Sequence, residues 1–334
     1  MQFWVYAFVI VAICCLAAAV LVRPLRRKPT AGTVHDDHGQ EQSENAAEAG
    51  NSVVEQRRVL VTGVGGQVGR ALVDQLTQRG VKVIGVDTET VGIAGVQTFR
   101  VPSATDRSLL VELRRLIDDH QIDLVLPTVA AELPLLASGR GELGHRADVM
   151  ISDVTSVLLA NDSLWAAAML DVAGVGVPRF GAPNDFEGVE DALRKLGTPV
   201  VLKPRLQRGL RGVVVDDPQQ QVDWDSLAAT HILQEFVEGR SYAVLVFRAA
   251  GAGSLVSIDQ AGAGDHSDVT ALATAAVEAL SLTGPVSLEI RRLADGRPVV
   301  VDVRPGFVAD HEGLPQALNL MLAADTRSQS VAAA

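Results

Sequence analysis

The sequence predicts an α/β protein: a Rossmann-like parallel-sheet domain, then an α+β domain, both behind an N-terminal transmembrane helix. Three observations carry that prediction. Residues 59–87 run from a buried-strand pattern through a glycine-spaced loop into a helical pattern and a second strand. Alternation of strand and helix implies a parallel, doubly wound sheet. Residues 285–306, PVSLEIRRLADGRPVVVDVRPG, instead alternate in the manner of an antiparallel hairpin. Phe3 to Val22 carries no charge over twenty apolar residues, enough to cross a bilayer as a helix.

Taken in order, the first segment (1–28) has Trp4 and Tyr6 near its start and Arg23, Arg26, Arg27 and Lys28 immediately after it. Nothing basic precedes it, so the positive-inside rule puts the bulk of the chain in the cytoplasm as a single-pass membrane protein. A cleaved signal peptide is disfavoured, because the n-region lacks positive charge and the apolar stretch is too long. Residues 29–56 are polar and acidic, and read as a disordered tether roughly 30 Å end to end.

The first folded unit spans 57–150. Gly63-x-x-Gly66-x-x-Gly69 follows the strand Val59-Leu60-Val61, and Asp87 ends the next strand, VKVIGVD. Such glycines let a helix N-terminus approach an anion, and equally let a helix pack tightly on a sheet. A helix over Asp106–Asp119 and the run IDLVLPTVAAELPLLA continue the alternation. The glycine spacing invites comparison with nicotinamide-dependent epimerases and short-chain dehydrogenases. Their Tyr-x-x-x-Lys pair is missing, since the tyrosines are Tyr6 and Tyr242 and neither has lysine at that spacing.

The second unit spans 151–324, with a polar tail at 325–334. Helices are expected around Ser163–Ala173 and up to Leu196, then a strand TPVVLKPR carrying Lys203 and Arg205. LQRGLRGVVV reads as a loop and returning strand, and HILQEFVEGRSYAVLVF as two strands bent at Gly239. In the final hairpin, a two-residue type I′ turn at Asp295-Gly296 pairs Glu289 with Asp302, Arg291 with Val300 and Ser287 with Arg304. One face then holds Leu288, Ile290, Val299, Val301 and Val303, and the other Glu289, Asp302, Arg291 and Arg304. Like charges opposed across a ladder repel. Either a hard divalent cation such as Mg²⁺ or bridging by the two arginines offsets that repulsion; periodicity leaves both open. An apolar helix over Leu314–Ala323 closes the unit.

Composition narrows the rest. A formal charge of −11 argues against a nucleic-acid partner. Cys14 and Cys15 both fall in the membrane segment, which leaves no disulfide framework or zinc site.

The order VVLKPR, glycine-containing loop, LQEFVEG, then a strand pair bearing acids resembles the ATP-grasp superfamily. The first unit with PTVAAELPLL is similar to the domain that precedes it in the carbamoyl-phosphate synthetase-like branch. The resemblance covers about Arg57–Leu322 and implies an ATP-grasp α+β domain that binds ATP and Mg²⁺. It implies that Lys203 and Arg205 contact phosphates and that a loop with Gly209 and Gly212 covers them. Glu235, Phe236 and Val237 would hold the adenine edge, Glu289 and Asp302 the metal. Arg208, Arg211, Arg291 and Arg304 would assist at phosphate. The implied reaction is ligation of a carboxylate to an amine through an acyl-phosphate, with a small-molecule carboxylate as partner and homo-oligomerisation left open.

Several positions depart from the family pattern. Where the family reads Glu-x-Asn-Pro-Arg, this chain reads Asp302-Val303-Arg304-Pro305-Gly306. Ser241 replaces a ribose-clamping glutamate, and Ser163 replaces a lysine after Asp162. The alternative implied is a catalytically degenerate nucleotide sensor or interaction module.

Overall fold

The computed structural model describes residues 57–144, 146–206, 212–220, 222–249, 253–259 and 264–323. The membrane segment, the tether and the tail expected at 3–22, 29–56 and 325–334 lie outside them. Among the described residues no helix is long and apolar enough to cross a membrane.

The chain opens β1 (Arg58–Thr62), α1 (Gln67–Gln78), β2 (Lys82–Asp87), β3 (Gln97–Arg100) and α2 (Ser108–His120). It continues β4 (Leu124–Leu126), α3 (Leu133–Ser138), α4 (Arg140–Leu143) and β5 (Asp148–Val149). These strands form one sheet in the order β3-β2-β1-β4-β5, and every pairing is parallel. The doubly wound prediction is met. Val59 and Val61 pack to one side of β1 with Leu72 and Leu76 of α1, while Leu60 packs to the other with Leu113 and Ile117 of α2. That is the period-two division of a strand buried on both faces. The chain reverses direction across the sheet between β1 and β4, which makes their C-terminal ends the switch point where such sheets open a crevice.

Two helices follow, α5 (Val154–Asn161) and α6 (Ser163–Val172), each capped by an aspartate. Asp153 accepts from the Thr155 and Ser156 amides, and Asp162 from those of Leu164 and Trp165. These bonds satisfy amide donors that a helix start leaves open.

The remainder builds two antiparallel sheets. β6 (Phe180–Gly181), β7 (Val200–Pro204), β8 (Val213–Val215) and β9 (His231–Glu235) are arranged β6-β9-β7-β8, with α7 (Val189–Leu196) packed on them and α8 (Trp224–Leu227) between β8 and β9 in the chain. β10 (Ser241–Ala249), β11 (Gly253–Asp259), β12 (Gly284–Arg292) and β13 (Pro298–Pro305) are arranged β11-β10-β12-β13, with α9 (Ser267–Ala279) on one face. The last helix, α10 (Leu314–Ala323), matches the expected bounds. Its Leu314, Leu318 and Met321 share a core with Val59 and Leu72 of the first sheet and with Leu245 and Phe247 of β10. The two expected units therefore share one apolar core.

The hairpin turn differs from the expectation. The Leu293 amide donates to the Arg297 carbonyl, and the Gly296 amide to the Leu293 carbonyl. The loop is thus three residues, Ala294-Asp295-Gly296, with Gly296 at φ +87°. That is a type I turn closed by a left-handed glycine, and not a two-residue type I′ turn. Arg291 consequently faces Val299, not Val300. The register then shifts between Glu289 and Ile290, where Val301 is the extra residue on β13. This bulge restores the expected pairing beyond it, so Glu289 faces Asp302 and Ser287 faces Arg304. It also changes the apolar face. Val300 joins Leu288, Ile290 and Val303 in the core, while Val301 turns to a cavity.

Candidate functional site

A cavity of about 890 Å³ opens where the three sheets meet. The parallel sheet contributes Gln67 and Val68 at the start of α1, and Pro127 and Thr128 after β4. β7 contributes Lys203, and the stretch leaving β9 contributes Glu235, Phe236 and Val237. The hairpin contributes Glu289, Arg291, Asp302 and Arg304. Residues more than 200 positions apart in the chain thus line one space of a size suited to a nucleotide.

Lys203 sits near the end of β7. Its Nζ donates to the Val301 carbonyl at 2.9 Å and lies 3.9 Å from Asp302 Oδ1, with 16 % of its side chain exposed. Burial holds the ammonium below the usual lysine range, and Asp302 and then Glu289 pull it back up. The bulge at Val301 supplies the carbonyl that orients the amine. Gly212 flanks this lysine, and a Cβ there would fall 2.5 Å from Val201 Cγ1 and 3.2 Å from the Leu202 carbonyl oxygen. Only a glycine lets the returning strand lie this close. Gly209, Arg208 and Arg211 lie outside the described residues.

The hinge after β9 is held from both sides. Glu235 takes a forked ion pair from Arg179, at 3.0 and 3.1 Å, which holds its carboxyl below the usual range. The Phe236 amide donates to the Pro199 carbonyl at 3.2 Å. The Val237 carbonyl accepts from Arg291 Nη1 at 3.0 Å. Arg179 was not singled out from the sequence, since nothing local marks a partner 56 residues away.

On the hairpin, Glu289 and Asp302 face each other as expected, and each acid pairs with the arginine two residues along its own strand. Arg291 Nε donates to Glu289 Oε1 at 2.8 Å, and Arg304 Nε and Nη2 reach Asp302 Oδ2 at 2.8 and 2.7 Å. Ser241 Oγ is 3.4 Å from Glu289 Oε1. Among the described residues no group of three or more His, Cys, Asp or Glu side chains could hold a metal ion. A divalent cation needs several oxygen ligands. Here each carboxylate already has a guanidinium group on one oxygen and Lys203 lies 3.9 Å from Asp302, so the cationic surroundings do not suit Mg²⁺.

Arg205 stands apart from the cavity. Its guanidinium makes a forked pair with Asp162, at 2.7 and 3.2 Å, and its carbonyl accepts from the Ser163 amide at 2.7 Å. It secures the start of α6. Gly306 lines the cavity at φ +130°, a backbone conformation that side chains with a Cβ rarely adopt. The family's arginine at that position would be strained here.

Beneath the cavity, the Gly69 position would bring a Cβ within 2.2 Å of the Gly63 carbonyl oxygen, so this glycine lets α1 close on the loop. The Gly65 amide donates to Asp87 Oδ2 at 2.8 Å. Nearby Glu132 is 4 % exposed, and its Oε2 has no hydrogen-bond partner among the described residues. Burial pushes its carboxyl up to about 7, opposed by a hydrogen bond from Thr62 and reinforced by the charge of Asp87. The signal for it was a lone acid in the apolar run Leu124–Ala137.

This architecture, a parallel-sheet domain leading into two antiparallel sheets around a shared cavity, is the ATP-grasp fold. The chain superposes on N5-carboxyaminoimidazole synthetase from Staphylococcus aureus, solved with ADP, at a TM-score of 0.63 and 15% identity, covering 80% of this chain and 77% of that one. Biotin carboxylase from Campylobacter jejuni gives 0.62 at 15% identity, over 83% and 73% of the two chains. L-amino acid ligase from Bacillus licheniformis gives 0.60 at 18% identity, over 78% and 69%. Residues 59–153 match the model of the NAD dependent epimerase/dehydratase family, a match confined to the parallel-sheet domain and α3–β5 beyond its switch point. Tyr242 is not placed to serve such chemistry, since it lies on β10 with its hydroxyl accepting from Arg292 Nε at 3.0 Å. No curated protein matches the sequence.

Proposed function

We propose that the cavity binds an adenine nucleotide, with the purine against the hinge at Glu235, Phe236 and Val237 and the phosphates toward Lys203, Arg291 and Arg304. The observation that carries this reading is the convergence of a half-buried lysine, the hinge backbone and the cationic hairpin face on one cavity within an ATP-grasp fold. The solved neighbours include an ADP complex and an ATP complex. The reaction class proposed is ATP-dependent ligation. A substrate carboxylate attacks the terminal phosphorus, ADP leaves, and an amine then displaces phosphate from the acyl-phosphate. The chain's own residues would position the phosphoryl group and stabilise its charge. The substrate would be a small-molecule carboxylate, and the protein would sit on the cytoplasmic face of a membrane through residues 3–22.

A second reading is a nucleotide-binding sensor without turnover, and the arginine ion pairs on Glu289 and Asp302 favour it. The test is thermal stabilisation by ATP. The wild type is expected to melt several degrees higher with millimolar ATP and Lys203→Ala to show no shift. An ATP shift that survives Lys203→Ala would remove the lysine from the site. Phosphate release with pooled carboxylates and amines selects the ligase; its absence with ATP bound selects the sensor.

A further inference from the structure

We propose that Arg291 and Arg304 take the place of a divalent cation at the Glu289–Asp302 pair, so that this site binds a nucleotide polyphosphate without Mg²⁺. The inference rests on the nucleotide reading above and concerns the same cavity. Glu289 and Arg291 are two apart on β12, and Asp302 and Arg304 two apart on β13. Residues two apart on a strand share a face, so each acid has a guanidinium as its permanent neighbour. The contacts follow, at 2.8 Å on β12 and 2.7 Å on β13.

Two carboxylates facing each other across a ladder repel unless a positive charge lies between or beside them. In this chain that charge is covalently part of the strands. With Lys203, three cations serve two carboxylates, so these five side chains carry one net positive charge before any ion arrives. A metal ion would have to sit beside both guanidinium groups and the Lys203 ammonium, each of which repels it. Arg304 adds a further obstacle, because guanidinium has five donors and no acceptor and cannot ligate a cation.

The same arrangement suits a phosphate. Arginine binds phosphate oxygens in a forked geometry. Arg304 uses Nε and Nη2 on Asp302, and its side chain is 66 % exposed at the cavity edge. Arg291 joins Glu289 to the Val237 carbonyl, and so links the phosphate end of the cavity to the hinge.

The test measures ATP affinity of the full-length protein by calorimetry in EDTA and in excess Mg²⁺, with Mn²⁺ binding followed by electron paramagnetic resonance. Expected are dissociation constants within about threefold of each other in the two conditions and no protein-dependent loss of free Mn²⁺ signal. Arg304→Asn is expected to weaken binding in EDTA by about tenfold or more, with Mg²⁺ restoring it. ATP binding that requires Mg²⁺ in the wild type, or Arg304→Asn that binds normally in EDTA, would overturn the metal-free site and leave the nucleotide reading standing. No ATP binding in either condition would overturn both.

Discussion

Glu132 shows how a single side chain couples the crevice to pH. Its carboxyl lies under the loop after β1, beside Thr62, and burial raises it from about 4.5 to about 7. A folded state that holds a proton more tightly than the unfolded chain gains stability from it at low pH. That contribution is full below about 4.5 and is lost as pH rises through about 7. Glu132→Gln should therefore melt progressively higher than wild type between pH 5 and pH 8, by an amount on the order of 2–3 kcal/mol at the alkaline end. Parallel melting curves for the two proteins across that range would show the carboxyl to be ionised and paired. Lys203 displays the opposite perturbation, where burial lowers the ammonium and the hairpin acids limit the loss. Neither shift could be read from the residues alone, because both depend on what surrounds the group.

At the scale of elements, the glycine loop and the hairpin each turn on one backbone detail. Gly69 lies on the face of α1 that meets the loop after β1, and a methyl there would sit 2.2 Å from a backbone oxygen and 2.7 Å from Val64 Cα. Neither atom can move without moving β1 or α1. Gly69→Ala should destabilise the fold by about 3 kcal/mol, the upper part of the usual range for overpacking. Gly92→Ala, with nothing within 4 Å of its Cβ position, should change stability by less than about 0.5 kcal/mol. Urea denaturation of the pair checks this; equal midpoints would mean the loop relaxes freely. In the hairpin, the three-residue turn and the bulge at Val301 offset each other, which is why the Glu289–Asp302 pairing was legible although the turn was not. Asp-Gly is compatible with both turn types, and sequence alternation does not announce a bulge.

For the whole molecule, α10, β10 and the parallel sheet meet in a single apolar core, so the cavity above them is framed by segments distant in the chain. The proposed anchor is a separate matter, since residues 3–22 lie outside the described part. Removing residues 1–28 should move the protein from the membrane pellet to the supernatant on fractionation, with the ATP-induced thermal shift retained. Persistence in the pellet after alkaline carbonate washing would place the membrane attachment elsewhere.

What the sequence determined by itself was local. Strand and helix periodicity gave the parallel sheet, the hairpin acids and the last helix, because each follows from residues within a few positions of one another. The order of the motifs pointed to the ATP-grasp fold. The partners of those residues were decided only in three dimensions. Arg205 went to Asp162 and not to the cavity, Arg179 came to Glu235, and Lys203 found the Val301 carbonyl. Charged side chains are long and pair with whatever the tertiary packing brings within reach, and no local pattern encodes a partner dozens of residues away.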